Sequence, residues 1–284
     1  MSKWRPVKKN CLYVIPDVHG SVDLLQKICD RILPLRKSDG GKDRLVFLGD
    51  YIDRHVDSHK VIDFCIELKK KYSSQITFLM GNHELMLLQA LNLQPHKNHS
   101  LQTMSHMYKM WLENGGRETI FGYQQRKGLN AQDGWNDPPR SKIIDLFPKE
   151  HITFFQNLEK CYELEDYIFV HGGCNPQEFL ANQELEILAW DRSLVKFVQN
   201  AIQAGHNVMP WDKTVVCGHC VQGDKLPVIA DKYMMIDCGS PKQLLVVELH
   251  SNTAFMAYPD KDRLVSFPLE VTKKIAGVFR RVQT

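Results

Sequence analysis

Six side chains bearing hard oxygen or imidazole donors stand at the ends of short apolar runs in this sequence: Asp17, His19, Asp50, Asn82, His171 and His219. Together they form a ligand set for divalent first-row ions such as Mn, Fe or Zn. A carboxylate has two oxygens, so Asp50 can bridge a pair of ions while its negative charge offsets their repulsion. Two ions ~3.5–4 Å apart can share a hydroxide, polarise phosphoryl oxygens and clamp both ends of an in-line displacement. Such a reaction also needs a proton donor for the leaving alkoxide and positive charge on the non-bridging oxygens. Asp53, Arg54 and His83 stand where those roles can be filled. A guanidinium grips phosphate in a planar fork, and a histidine held by an aspartate delivers a proton near neutral pH.

Any one of these clusters alone would be unremarkable, since a histidine or aspartate at a strand end is commonly a turn or surface residue. Their joint occurrence carries the reading. Cys217-Gly218-His219-Cys220 reproduces the C-x-x-C spacing of thiol oxidoreductases and competes for His219. A redox motif should open a helix, whereas residues 221–227 read as a loop. His96 and His99 lie in a polar linker without acidic or thiol partners nearby and read as solvated.

The elements that must position these groups follow from hydrophobic period. Apolar runs at 12–16, 45–48 and 76–80 are each followed by a helical pattern, at 22–35, 58–71 and 84–93. Three strand-then-helix units predict an α/β architecture, with the ligand crevice at the carboxyl ends of the strands. Residues 102–158 read as a mostly helical insert that includes the turn-forming loop 132–139. Strand-like runs follow at 167–170, 214–217, 233–236, 244–247 and 253–258, with little helix except around 177–188. They predict a second, more antiparallel sheet facing the first.

The 284 residues suit one domain, because single cores stop growing at roughly 250–300 residues. Lys plus Arg number 36 against 33 Asp plus Glu, and a net charge of +3 is too weak to argue for nucleic acid. No apolar stretch approaches the ~18–20 residues of a spanning helix, and the start MSKWRPVKKN lacks a secretory pattern and reads as a flexible arm. Eight cysteines scattered through apolar runs suit a reducing compartment. The expectation is a cytoplasmic protein with neither a membrane nor a nucleic-acid partner.

The ordered motifs Asp17-Val18-His19-Gly20, Gly49-Asp50-Tyr51-Ile52-Asp53-Arg54, Gly81-Asn82-His83-Glu84, His171-Gly172-Gly173 and Gly218-His219 resemble the phosphoprotein phosphatase family of calcineurin-like metallophosphoesterases. The resemblance implies an α/β sandwich of two mixed β-sheets flanked by helices. It implies a first metal held by Asp17, His19 and Asp50, and a second held by Asp50, Asn82, His171 and His219, with Mn the leading ion and Fe or Zn as alternatives. His83 would be the general acid, oriented by Asp53. Arg54 and Arg192, the latter in Ala189-Trp190-Asp191-Arg192, would bind phosphate, and a hydroxide bridging the metals would attack phosphorus without a phosphoenzyme. Asp57-Ser58, the run 81–88 and the segment 111–119 are similar to the small bacterial and phage branch, which includes protein serine/threonine phosphatases and symmetrical dinucleoside tetraphosphate hydrolases.

The lead expectation is a protein serine/threonine phosphatase, with dinucleoside tetraphosphate hydrolysis as the alternative on the same core. A non-catalytic binding module would be marked by a missing ligand or acid, and every expected position is filled. Two departures stand out. The first motif opens on Pro16 where the family has Gly, and Arg54 is followed by His55-Val56 where the family continues with Gly. A positive φ at position 55 would be costly for histidine.

Overall fold

The computed structural model describes residues 10–38, 41–95, 97–129, 139–206 and 209–269, with backbone alone at Ser38, Gly41, Thr272–Ile275 and Val278–Arg281. The basic start, His96 and nearly all of the loop 132–139 lie outside the described residues.

The three predicted strand-then-helix units are present. They are β1 (Leu12–Ile15) with α1 (Val22–Ile32), then the short pair β2 (Lys37–Ser38) and β3 (Gly41–Lys42), then β4 (Arg44–Phe47) with α2 (Ser58–Tyr72), and β5 (Ile76–Phe78) with α3 (Asn82–Ala90). The predicted helical stretch contains α4 (Leu101–Trp111), a kink at Leu112–Gly116, α5 (Arg117–Arg126), α6 (Arg140–Ile143) and α7 (Lys149–Gln156). The remainder runs β6 (Tyr162–Glu163), β7 (Tyr167–Phe169), α8 (Leu185–Trp190), α9 (Ser193–Gln203), β8 (Thr214–Cys217), β9 (Val228–Ala230), β10 (Tyr233–Met235), β11 (Leu244–Glu248), β12 (Thr253–Ala257) and β13 (Val265–Pro268). A separate hairpin pairs β14 (Thr272–Ile275) with β15 (Val278–Arg281).

Alternation along the strands builds the layers. On β4, Leu45 and Phe47 face the helices α1–α3, while Val46 and the following Leu48 face the other sheet. On β8, Val215 and Cys217 pack under α9 and Val216 faces back across the sandwich. A strand buried on both faces reads as a continuous apolar run, which is why these segments were legible. Each fully buried Leu, Val or Phe contributes roughly 1.5–3 kcal/mol, and α1 buries Val22, Leu25, Ile28, Cys29 and Ile32 on one stripe at helical spacing.

Both sheets are mixed. The first has the order β13-β12-β11-β1-β4-β5, with β1, β4 and β5 parallel. The second has the order β6-β7-β8-β10-β9, with β7, β8 and β10 parallel. This corrects the expectation for residues 244–247 and 253–258. These strands do not join the second sheet; β11 pairs antiparallel with the free edge of β1, Val14 opposite Val247, and carries β12 and β13 with it. Antiparallel pairing needs no crossover helix, so helix-free sequence does not by itself assign a strand to a sheet. A second correction is α9, whose buried Leu194, Val195, Val198 and Ile202 follow helical spacing within a stretch expected to hold little helix.

The topology turns the parallel strands of both sheets toward one crevice. Asp17 follows the last residue of β1, His171 that of β7 and His219 that of β8, each by two positions, and Asp50 and Asn82 lie just beyond β4 and β5. Among the described residues no helix is long and apolar enough to cross a membrane.

Candidate active site

Backbone strain marks the crevice. His19, Asp50, Asp53, Arg54 and His219 all have positive φ, between 43° and 73°. Non-glycine residues in this region cost of order 1–3 kcal/mol each and persist where the surroundings over-determine them. Here the clamp is Glu84. Its buried carboxyl accepts from the backbone N–H of Asp50 (2.9 Å), Tyr51 (2.8 Å), Ile52 (3.1 Å) and Gly81 (3.2 Å), tying the loop after β4 to the first turn of α3. Burial, reinforced by Asp50, lifts this carboxyl to about 7. The expected strain at position 55 is not found: the positive φ values fall on Asp53 and Arg54, and His55 accepts the Asp57 N–H through Nδ1 at 3.2 Å.

Asp50 is the hub. Its Oδ2 lies 3.6 Å from His19 Nε2, 3.3 Å from His171 Nε2 and 3.7 Å from His83 Nε2. Its Oδ1 accepts the His83 N–H at 3.1 Å. Asp17 Oδ2 is 3.9 Å from His19 Nε2, and Asp17 Oδ1 accepts the His219 N–H at 3.0 Å, which bridges the two sheets. His171 Nε2 lies 3.0 Å from Asn82 Oδ1. The six proposed ligands therefore meet in one cluster, although they are distant in the chain.

Two histidines test whether a cation fits. His19 donates through Nδ1 to the Ile52 carbonyl at 2.8 Å, which leaves the Nε2 lone pair facing two carboxylates, and that buried nitrogen has no hydrogen-bond partner. His171 donates through Nδ1 to Leu48 O at 2.9 Å, so its Nε2 confronts the oxygens of Asp50 and Asn82. A nitrogen lone pair opposite two acceptors is favourable only with positive charge between them, a proton or a metal ion. Burial works against a charged His171, yet Asp50 beside it carries its pKa up to about 10. Burial would raise Asp50 too, but His171 and His83 hold it well below the carboxylate range. His219 is driven down to about 3 by burial and by His171. Ligand geometry groups Asp50 with His19 and His83 on one side and with His171 and His219 on the other. His83 is already engaged at both ring nitrogens, so Asp17 is the better partner for His19.

The arginines sit at the mouth. Arg54 Nη2 is 3.1 Å from His83 Nε2 and Arg192 Nε is 3.0 Å from His219 Nε2. Both residues are exposed, so each guanidinium can turn toward a substrate. His83 Nδ1 donates to Asp53 Oδ2 at 2.7 Å. Burial opposes a proton on His83, but Asp50 and Asp53 prevail and raise its pKa, while Arg54 opposes them.

Sequence reasoning missed Asp237. It follows the last residue of β10 by two positions, the same offset as Asp17, His171 and His219, and it is buried. Burial followed by Asp237 pushes Asp17 well above its ordinary range. The apolar run 233–236 ending on an aspartate was the available signal. The thiols of Cys217 and Cys220 are both raised by burial, Cys220 to about 11, and residues 221–227 form no helix, so the redox reading has no support. His99 is occupied by Gln94 Oε1 at 2.9 Å.

Residues 12–230 match the Metallophos family, described as calcineurin-like phosphoesterase. Among curated proteins, the symmetrical bis(5'-nucleosyl)-tetraphosphatase of Actinobacillus succinogenes is 36% identical over 76 residues, 27% of this chain and 25% of that protein. A serine/threonine-protein phosphatase of Candida albicans is 39% identical over 72 residues, 25% of this chain and 22% of that protein. The chain thus spans about a quarter of the length of these relatives. Among solved structures, a protein serine/threonine phosphatase from Saccharomyces cerevisiae superposes with a TM-score of 0.50 at 14% identity, over 94% of this chain and 82% of the other. A cold-active protein-tyrosine phosphatase of a psychrophilic Shewanella species also gives 0.50, at 16% identity, over 90% and 80%. These two likenesses establish the fold alone. The family match extends over most of the chain and takes in every proposed metal ligand, and on that ground the protein belongs to the calcineurin-like phosphoesterase family.

Proposed function

We propose that the protein is a metal-dependent phosphoester hydrolase whose natural substrates are phosphoserine and phosphothreonine in proteins. The observation that carries this is the Asp50 carboxylate ringed by three imidazoles, one of which, His19, presents a buried Nε2 without a partner. Asp17, His19 and Asp50 would hold one divalent ion and Asp50, Asn82, His171 and His219 a second, with Mn first and Fe or Zn as alternatives. Such ions would supply Lewis acidity and a nucleophilic hydroxide at neutral pH. The remaining work falls to the chain. Arg54 and Arg192 would leave their histidines and bind the phosphoryl oxygens. Departure of Arg54 would free His83 Nε2 and remove a charge that opposes its protonation, so His83 would carry the proton delivered to the leaving alkoxide. Asp53 would fix the ring through Nδ1.

The same reading treats the 284 residues as one domain in a cytoplasmic protein, supported by the eight free thiols. A second reading, symmetrical cleavage of dinucleoside tetraphosphates, is favoured by the match to the Actinobacillus enzyme. Assaying a phosphoserine peptide and a dinucleoside tetraphosphate side by side in Mn decides between them: the higher kcat/KM is expected on the peptide, and the reverse order would move the assignment to the second reading. Direct attack by water predicts inversion at a chiral phosphorus. Retention would indicate a phosphoenzyme and remove the mechanism.

A further inference from the structure

The segment Trp111–Thr119 folds back from the helical insert onto the loop after β4 and reaches the carboxylate of Asp53. Trp111 Nε1 donates to both of its oxygens, at 3.0 Å and 2.9 Å, and Thr119 Oγ1 donates to Oδ1 at 2.7 Å. Thr119 Oγ1 also accepts the Asp53 N–H at 2.8 Å, and Ser58 Oγ accepts the same N–H at 3.0 Å. Trp111, Thr119 and Asp53 are all fully buried. An ionised carboxylate away from water must find its donors within the protein, and with them it has one orientation.

The backbone between the two side chains is built for this reach. The kink between α4 and α5 at Leu112–Gly116 contains Gly115 at φ 107°, and the Gly115 carbonyl accepts the Arg54 N–H at 3.1 Å. A Cβ on Gly115 would fall 2.6 Å from that nitrogen, and one on Gly116 would fall 2.6 Å from the Trp111 ring. The insert thus grips the Asp53-Arg54 pair at the carboxylate and at the backbone, although it touches none of the proposed metal ligands through these bonds.

We propose that Trp111 and Thr119 are positioning residues for proton delivery: they orient the Asp53 carboxylate so that His83 Nε2 is aimed at the leaving oxygen. This rests on the assignment of His83 as general acid. It makes the insert part of the catalytic machinery, and it explains why a tryptophan, two glycines and a threonine occur at positions 111, 115, 116 and 119.

The test uses leaving-group dependence. A phenol of low pKa departs unaided, whereas a poor leaving group needs the proton. Trp111→Phe keeps the ring and removes the donor. Its loss in kcat on phenyl phosphate should exceed its loss on p-nitrophenyl phosphate by ~10-fold, in the range usual for groups that orient a functional side chain, with KM little changed. Thr119→Val should show the same imbalance and Thr119→Ser should restore it. Mn binding measured by calorimetry reports whether each variant retains its site. Equal losses on both esters, or no loss, would overturn the proposal. His83→Asn run in parallel separates the two ideas: if it too lacks leaving-group dependence, the general-acid assignment fails, and if it shows dependence while Trp111→Phe does not, the positioning role alone fails.

Discussion

Among the described residues, two clusters bring aspartate and histidine within metal-binding distance, and they differ in what their lone pairs are doing. One surrounds Asp50; the other joins Asp63, Glu150 and His151 on α2 and α7. In the second, His151 Nε2 meets Asp63 at 3.0 Å and Nδ1 meets the Tyr123 hydroxyl at 2.7 Å, while Asp63 also accepts from Arg126. Every ring nitrogen is matched, and all three residues lie within regular helix and outside the positive-φ set. In the first, His19 Nε2 has no partner, His171 Nε2 faces acceptors, and several residues sit at strained backbone. Proximity of ligand types is common to both. What separates a candidate metal centre from a structural knot is an unsatisfied donor set held open by backbone that is costly to maintain.

The largest effect should come from removing the hub. Asp50→Asn takes away the carboxylate shared by both proposed ions, and kcat on an aryl phosphate should fall by at least ~10³-fold, the upper range for losing one electrostatic stabiliser. Calorimetry should show loss of tight Mn binding in the same variant. Retained Mn stoichiometry would break the contrast between the clusters, as would an equal loss in Asp63→Asn. Next in size is His83→Asn, for which at least ~100-fold in kcat is expected from the usual contribution of a general acid. Unchanged Mn binding is the companion result, because His83 is placed in proton transfer and not in coordination.

The contrast also shows what a sequence can and cannot disclose. The ligands were legible because each sits just past a buried strand, where an apolar run stops on a polar residue. Asp237 obeys the same rule, but its run leads into Asp237-Cys238-Gly239-Ser240, which sets no histidine or arginine beside the aspartate. The strands themselves were legible from burial on both faces, but their partners were not: β11 lies beside β1 across more than two hundred residues, and only the three-dimensional pairing assigns it. Trp111 and Thr119 were visible as a segment without a role, since nothing in their local pattern indicates that the insert closes on Asp53. Glu84 stands within a motif, yet three of its four backbone hydrogen bonds depend on the loop 50–52 arriving from another strand, and only the one from Gly81 is local.

A smaller effect sharpens the comparison from the other side. Asp63→Asn leaves His151 Nε2 and Arg126 without their carboxylate, and should lower stability by about 1 kcal/mol, a charge-assisted contribution reduced by solvent because Asp63 is partly exposed. Denaturant melts would read this as a lower midpoint. Mn stoichiometry and kcat are expected to stay at the parent values, since none of these residues reaches the crevice. A fall in kcat without a fall in stability would tie the second cluster to catalysis and undo the distinction.

The smallest effect is a pH slope. Burial, only partly offset by the hydrogen bond to Asp63, lowers the pKa of His151 from its ordinary 6.5, so the folded protein keeps this imidazole neutral where the unfolded chain binds a proton. The unfolded state therefore holds more protons just below pH 6.5. The stabilisation is complete above that value and declines as pH falls through it toward the lower folded pKa, by at most about 1.4 kcal/mol per unit. Replacing His151 with Phe removes the titration, so its stability should change less between pH 7 and pH 5 than the parent's, whatever the absolute cost of losing the Tyr123 and Asp63 partners. Comparing slopes and not midpoints isolates the proton. An unchanged slope would mean that His151 binds its proton equally in the folded and unfolded states, and a variant that loses more stability than the parent toward pH 5 would mean that His151 is protonated in the folded state as a partner to Asp63; either result would remove the neutral network described here.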